Sequence, residues 1–294
     1  MSRRKASVGG TVFDIFNTIL MIVILIIMVY PFIYILSYSL SVPSKIRDGF
    51  LLFPAGFSVN SYLACFKHPD VGRSFVLSIG RTVIGPALMV IVTSMAAYAL
   101  ARDTLIGRKF LNKYFIFTMY FTGGLIPVYM VIKSLHLTNS FWVYIFPLLS
   151  NAFYFVLVRT YIEGIPKSLE EAALIDGANY FVTFFKVIFP VCAPVIAAVV
   201  LFSSVFHWNS FIDNQLYNSM NRKLFVMQYV LYNFLTASQV SSAEVAQSMG
   251  STSDMNPETL KMAITMITVV PILCVYPALQ KYFTSGLLLG SVKG

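Results

Sequence analysis

Residues 165–190 read IPKSLEEAALIDGANYFVTFFKVIFP, a polar, acid-bearing island between two long apolar runs. Pro166 precedes Ser168, and Ser168 with Glu171 makes the S-x-x-E pattern of a capping box, which predicts a helix start at that serine. The helix has room for about two turns before Asp176-Gly177, where a glycine can take the left-handed conformation that ends it. A second helix, from Asn179 through Phe185, then leads directly into an apolar segment. At 3.6 residues per turn Leu169, Ala172, Ala173 and Asp176 share a face, and the two alanines leave it open to close approach by another surface. Glu170 and Glu171 lie in the first turn, where the helix dipole favours negative charge, and are free to meet a basic partner.

Around this island the chain of 294 residues is 57% hydrophobic and 11% charged, with a mean hydropathy of +0.76, too apolar for a soluble domain of average make-up. An integral membrane protein is the expectation. The net charge of +9 is spread around apolar runs, which fits orientation in a bilayer and excludes nucleic acid as a partner. Cys65, Cys192 and Cys274 form no C-x-x-C pair, and His68, His136 and His207 are equally dispersed, so neither a disulfide framework nor a metal site is expected.

Six spans are expected, at about 14–39, 74–101, 114–132, 140–159, 187–211 and 260–282, within a membrane domain of 14–286. The first follows a short tail, 1–13, that carries Arg3, Arg4 and Lys5. It lacks a small-residue cleavage site and is too long for a signal peptide. Its thirteen Leu, Ile, Val or Phe between Ile19 and Leu36 favour insertion by about 4 to 8 kcal/mol, and Pro31 marks a kink. Arg81 is the one charge in the second span. Two readings are open: it snorkels to the outer interface from about 10 Å inside, or it faces a translocation path. In the third span Gly123-Gly124 and Pro127 interrupt regular hydrogen bonding, as a pathway wall or as a packing notch for a neighbour. Pro271 and Pro277 bend the sixth. The loop 213–259 is polar, with an apolar helix expected at Leu224–Leu235.

With the first tail inside, the cytoplasmic pieces hold twelve Lys and Arg in 69 positions and the external ones eight in 91. The positive-inside rule therefore places both tails and the island, within a loop of 162–186, in the cytoplasm.

No phosphate-binding loop, dinucleotide fingerprint, H-E-x-x-H or G-x-S-x-G occurs, so the chain is not expected to be an enzyme and has no cofactor of its own. Phe206, Trp208, Asn209 and Asp213 gather at the outer end of the fifth span. Aromatic faces with an amide and a carboxylate suit sugar rings, while an interfacial aromatic belt accounts for Trp208 equally well. Tyr154, halfway along the fourth span, is a further candidate for the path.

Glu170-Glu171-Ala172-Ala173, followed by Asp176-Gly177-Ala178, Phe189-Pro190 and Pro194, closely resembles the EAA loop of ABC importer permeases. The segment Ala96 to Arg102, the run Gly123 to Pro127, Trp208-Asn209, and Tyr276-Pro277 through Gly294 extend the likeness over nearly the whole chain. It resembles the carbohydrate permeases related to MalG, in the branch importing complex oligosaccharides. The resemblance implies an all-α membrane protein of six transmembrane helices whose cytoplasmic coupling helix, with Glu170, Glu171, Ala172, Ala173, Asp176 and Gly177, docks on an ATPase. It further implies a second permease subunit, two ATPase subunits carrying ATP and Mg²⁺, and an extracytoplasmic substrate-binding protein. The cargo would be a carbohydrate, with acidic oligosaccharides among the candidates, and the location the cytoplasmic (inner) membrane. The tail 287–294, with Lys293 and Gly294, would reach toward the ATPase dimer. An ion-gradient-driven secondary transporter module is the alternative, against which stands the lack of carboxylate or histidine chains in the spans.

Overall fold

Glycine and proline divide the apolar runs into helices of unequal length. The computed structural model describes residues 8–47, 49–237 and 256–286, and among these it contains helices, turns and one isolated bridge between Ser41 and Phe57. In chain order the helices are α1 (Val8–Ser39), α2 (Asn60–Lys67), α3 (Pro69–Ala101), α4 (Arg108–Tyr120), α5 (Leu125–Ser134), α6 (Ala152–Glu163), α7 (Lys167–Ile175), α8 (Tyr180–Val191), α9 (Ala193–Asn209), α10 (Ile212–Tyr217), α11 (Met227–Ala237) and α12 (Pro257–Gly286). Among the described residues α1, α3 and α12 are long and apolar enough to cross a bilayer alone. Three bent pairs bring the number to six if each pair is one span: α4 with α5, the turns at Phe141–Leu148 with α6, and α8 with α9. The all-α membrane class read from hydropathy is thus observed.

Several local expectations give way to the structure. Helix α1 starts at Val8 rather than 14, and α12 extends beyond 260–282 on both sides, beginning at a proline, whose missing N–H has no helical partner to lose at that position. The expected fourth span does not start as a helix at 140. Two 3₁₀ turns, Phe141–Tyr144 and Phe146–Leu148, come first, with Pro147 withholding a donor. The α-helix starts only where Asn151 Oδ1 accepts from the Phe153 and Tyr154 amides at 3.0 and 3.2 Å. Helices α4 and α5 meet at 116° across the Phe121–Gly124 break, where Gly124 takes a φ of 84° that suits glycine. Residues 1–7, the stretch 238–255 of the expected loop and the tail 287–294 with Lys293 and Gly294 lie outside the described residues.

The fifth span is the largest departure. The island does not run straight into it, because α8 and α9 are bent by 80° at Cys192. Phe184–Ile188 is a π-helical turn, and Pro190 and Pro194, four residues apart, remove two backbone donors about one turn from each other and crowd the carbonyls before them.

The chain forms two compact units. In the first, residues 8–68 and 234–269, serine hydroxyls tie down the end of α1: Ser39 and Tyr62 hydroxyls lie 2.6 Å apart, and Ser41 Oγ donates to the Ser37 carbonyl while accepting from the Ala55 amide. The apolar side chains of α1 between Val12 and Val29 are largely exposed, as a lipid-facing helix requires.

The second unit, residues 69–233 and 270–286, is built around α3. Met89, Ala97 and Tyr98 of α3 pack with Phe155 and Val158 of α6 and with Ile188 and Val199 of α8 and α9. Gly85 lets α9 come close: a Cβ there would stand 2.6 Å from the buried His207 ring. Gly85→Ala should therefore destabilise the protein by about 1–3 kcal/mol in detergent thermal unfolding, and His207→Ser in the same chain should recover most of that loss.

Candidate functional site

Helix α7 carries the sequence-predicted coupling residues, and its two ends are set by backbone chemistry. At the start Pro166 holds the cap position and accepts the Leu169 amide at 3.1 Å. The helix begins at Lys167, so Ser168 lies inside the first turn and the expected capping box does not form. At the end the Gly177 amide donates to the Leu174 carbonyl and the Ala178 amide to the Ala173 carbonyl, at 3.1 and 3.0 Å, a Schellman motif. It needs a left-handed residue, and Gly177 has φ 85°. Asn179 then caps α8 by accepting from the Val182 amide at 2.9 Å.

The helix has an inner and an outer face. Glu170, Ala173 and Leu174 are half-buried, whereas Glu171, Ala172, Ile175, Asp176 and Gly177 are exposed, Ile175 by 86%. The alanine pair is therefore split between the two faces, because adjacent residues on a helix lie about 100° apart.

Glu170 is also not free for a partner. Tyr98 of α3 donates its hydroxyl to Glu170 Oε1 at 2.9 Å, and Arg102 Nε lies 3.4 Å from the same oxygen. The Arg102 guanidinium rests 3.5 Å from the centroid of the Tyr180 ring, so α3, α7 and α8 meet at one charged group. Beside it Lys167 Nζ reaches Asp103 Oδ2 at 2.5 Å, Asp103 also pairs with Arg108, and Arg108 and Arg159 each hold Glu163 Oε1 at 2.8 Å. Arg108 Nε donates to the Leu100 carbonyl at 2.9 Å, closing the lattice on the end of α3. The hydrogen bond and charge of Lys167, helped by Arg108, hold the Asp103 carboxyl below its ordinary range, and Asp103 in turn raises the Lys167 ammonium above its own. The pairing contributes above the unfolded carboxylate pKa and is lost as pH falls through the depressed folded value.

A second cluster lies farther along α3. Arg81 does not snorkel: its side chain is 0% exposed, with Nη2 2.5 Å from Asp213 Oδ2 and its guanidinium 4.6 Å from the Tyr144 ring centroid. It has no reach to water once α9, α10 and the 3₁₀ turns close over it, so it takes a carboxylate instead. Arg81 Nη1 also donates to the Ser210 carbonyl at 3.3 Å, fixing the end of α9. Neighbouring polar groups stitch the following segment down: Asn214 Oδ1 accepts from the Val226 amide, Ser78 Oγ from the Met227 amide, and the Leu224 carbonyl from Tyr144, at 2.7 to 2.8 Å.

Of the path candidates, the structure brings Arg81 and Asp213 together and separates the others. Trp208 is buried edge-on against Phe75 rather than placed in an interfacial belt. Phe206 is half exposed, and Asn209 Oδ1 accepts from Gln228 Nε2 at 3.1 Å. Tyr154 packs against the α3–α6–α9 core, and Gly123 and Gly124 are exposed at the α4–α5 break. Sequence reasoning missed Tyr98, Arg102, Asp103 and Lys167 as anchors of α7. The available signal was a tyrosine and an arginine four residues apart at the end of a span, one helical face opposite an acidic island.

Residues 110–288 match the family described as binding-protein-dependent transport system inner membrane component. The chain is 38% identical over 270 residues to the polygalacturonan/rhamnogalacturonan transport system permease protein YtcP of Bacillus subtilis (strain 168), covering 92% of this chain and 94% of that one. It is 35% identical over 292 residues to Protein LplC of the same organism, with 97% and 96% covered. At 28% identity and a TM-score of 0.86 it also resembles a chain in the crystal structure of a bacterial ABC transporter involved in the import of the acidic polysaccharide alginate, covering 96% of this chain and all of that one.

Two outcomes follow from this geometry. Asp213→Ala leaves Arg81 buried without its carboxylate and should cost about 3–5 kcal/mol in thermal unfolding, most of it recovered by the paired change Arg81→Met with Asp213→Leu. Tyr98→Phe keeps the ring but removes one donor to Glu170. Amide exchange over 169–175 should then quicken by about fivefold to thirtyfold, the equivalent of about 1–2 kcal/mol, at neutral pH and at pH about 5 alike, since the Asp103 pair stays charged across that window.

Proposed function

The chain belongs to the family of binding-protein-dependent transport system inner membrane components, and from that premise we propose how this permease of a carbohydrate ABC importer is coupled, oriented and supplied. Helix α7 is the coupling helix. Its outer face, Glu171, Ala172, Ile175 and Asp176 above the Gly177 turn, docks on an ATPase subunit. An apolar isoleucine exposed by 86% between two carboxylates supports this reading, since such a residue gains most by burial against a partner surface. The chain pairs with a second permease subunit, receives cargo from an extracytoplasmic binding protein, and draws energy from two ATPase subunits on which ATP and Mg²⁺ sit. The tails and α7 face the cytoplasm, as the higher density of Lys and Arg in those pieces favours.

Motion of α7 passes first to α3. Glu170 is held by Tyr98 and Arg102, and Lys167 by Asp103, whereas the route through α8 into α9 is broken by 80°. A rigid push travels through a packed helix and its ion pairs more readily than around a bend at two prolines.

The cargo is an acidic oligosaccharide. The name of the 38% identical relative and the alginate importer both support that class. Phe206 and the Asn209–Gln228 amide pair offer a ring face and hydrogen-bonding groups for sugar, with Arg81 and Asp213 holding the end of α9 that presents them.

The test is uptake of labelled oligogalacturonate, with neutral maltooligosaccharide as control, in membranes holding this chain and its co-expressed partners. Glu171→Lys and Ile175→Asp should each abolish uptake and the binding-protein-stimulated ATPase while the chain stays inserted. Undiminished uptake in both would remove α7 from energy coupling, and equal uptake of the neutral sugar would remove the acidic cargo.

A further inference from the structure

Beside the clamp on Glu170 an open groove of about 500 Å³ is walled by Met95 and Tyr98 of α3, Leu105 and Ile106 of the following loop, and Phe181 and Phe184 of α8. Its walls are apolar and open to the surroundings, with Ile106 exposed by 96% and Phe181 by 61%. Met95 stands six residues before the end of α3, about 9 Å at 1.5 Å per residue, so the groove runs from beyond the helix end into the depth of the span. With the end of α3 set at the bilayer surface, as the basic loop after it implies, that is the depth at which headgroups give way to acyl chains.

The polar groups at this groove are not neutral. Arg102 lines it, and of the five N–H donors of its guanidinium the contacts with Glu170 and with the Tyr180 side chain leave some to spare. Outside the lining, the loop and the first turns of α4 carry Arg108, Lys109 and Lys113 against one acid, Asp103. Arg108 is already shared between Asp103 and Glu163, but Lys109 and Lys113 are exposed. A sugar would find few hydroxyl partners on such walls, and the Tyr98 hydroxyl is already given to Glu170.

We propose that this groove binds an anionic phospholipid of the leaflet at the C-terminal end of α3, with an acyl chain along Met95, Ile106 and Phe181 and the phosphate on Arg102. The 3.4 Å contact of Arg102 with Glu170 is longer than a charge-assisted hydrogen bond normally is. A phosphate on the same guanidinium competes with Glu170 and leaves it on the Tyr98 hydroxyl alone. The lipid thereby tunes how firmly α7 is tied to α3, a consequence that rests on the coupling role proposed for α7, while the binding itself does not.

The test uses the assembled importer with p-benzoylphenylalanine in place of Phe181, reconstituted in phosphatidylcholine with or without phosphatidylglycerol, irradiated and read by mass spectrometry. Adducts on this chain should carry phosphatidylglycerol in about fivefold excess over its share of the bilayer. The excess should vanish in Arg102→Gln, all adducts should fall in Ile106→Asp, and excess inorganic phosphate should leave the wild type unchanged. Adducts to a partner polypeptide, adducts that follow bilayer composition, or loss of the excess on adding phosphate would each overturn the proposal: the first assigns the groove to a protein, the second to bulk lipid, the third to a free anion. Because the readout is the adduct, failure of α7 as a coupling helix would leave this result standing and show itself only in uptake.

Discussion

Helix α3 carries Arg81 and Tyr98 through an apolar bundle, and each polar group sits there only against a partner brought by another part of the chain. Asp213 answers the first from 132 residues away and Glu170 the second from 72. Burying an unpaired guanidinium costs several kcal/mol, so the first pair fixes how α9 ends and how the 213–227 segment lies over α3. The second joins a buried tyrosine to a half-buried carboxylate and is weaker. One helix is thus gripped at two levels, by a strong pair near its middle and by a lattice of weaker ones at its end.

The difference between the grips bears on mechanism. Exposed pairs such as Lys167 with Asp103 contribute little singly, and their value lies in number and direction: Asp103, Arg108, Glu163 and Lys167 link α3, α4, α6 and α7. In the coupling role proposed for α7, an ATPase that displaced the helix would act first on this lattice. On the same proposal, the bend at Cys192 and the π-helical turn before it would let α9 answer by swinging rather than by sliding.

How much of this could be read in advance depends on the range of the rule involved. Glycine rules that act within a few residues transfer well, though the capping box at Ser168 does not: the Asp176-Gly177 turn forms because only glycine tolerates that φ cheaply, and the third apolar run breaks at Gly123-Gly124 as its glycines suggest. The helical class follows from runs too apolar for any other solvent. Pro190 and Pro194 were visible in the sequence, but neither the π-helical turn before them nor the size of the bend, 80°, is set by a local pattern. Arg81 is the plainest case. Snorkelling is a sound expectation for an isolated helix, and only the arrival of Asp213 and Tyr144 from distant segments makes full burial tolerable. Glu170 is similar, a free surface acid by sequence and an anchored one once α3 lies beside it.

The measurement that tests this account most directly is a pair of electron–electron distances in the assembled importer, with spin labels at Ala172 and Ala99 in one sample and at Ala172 and Phe202 in another, each without nucleotide and with ATP trapped. The account predicts that the α7-to-α3 distance stays fixed while the α7-to-α9 distance changes. A fixed α7-to-α9 distance alongside a changing α7-to-α3 distance would contradict it and return the coupling route to α8 and α9.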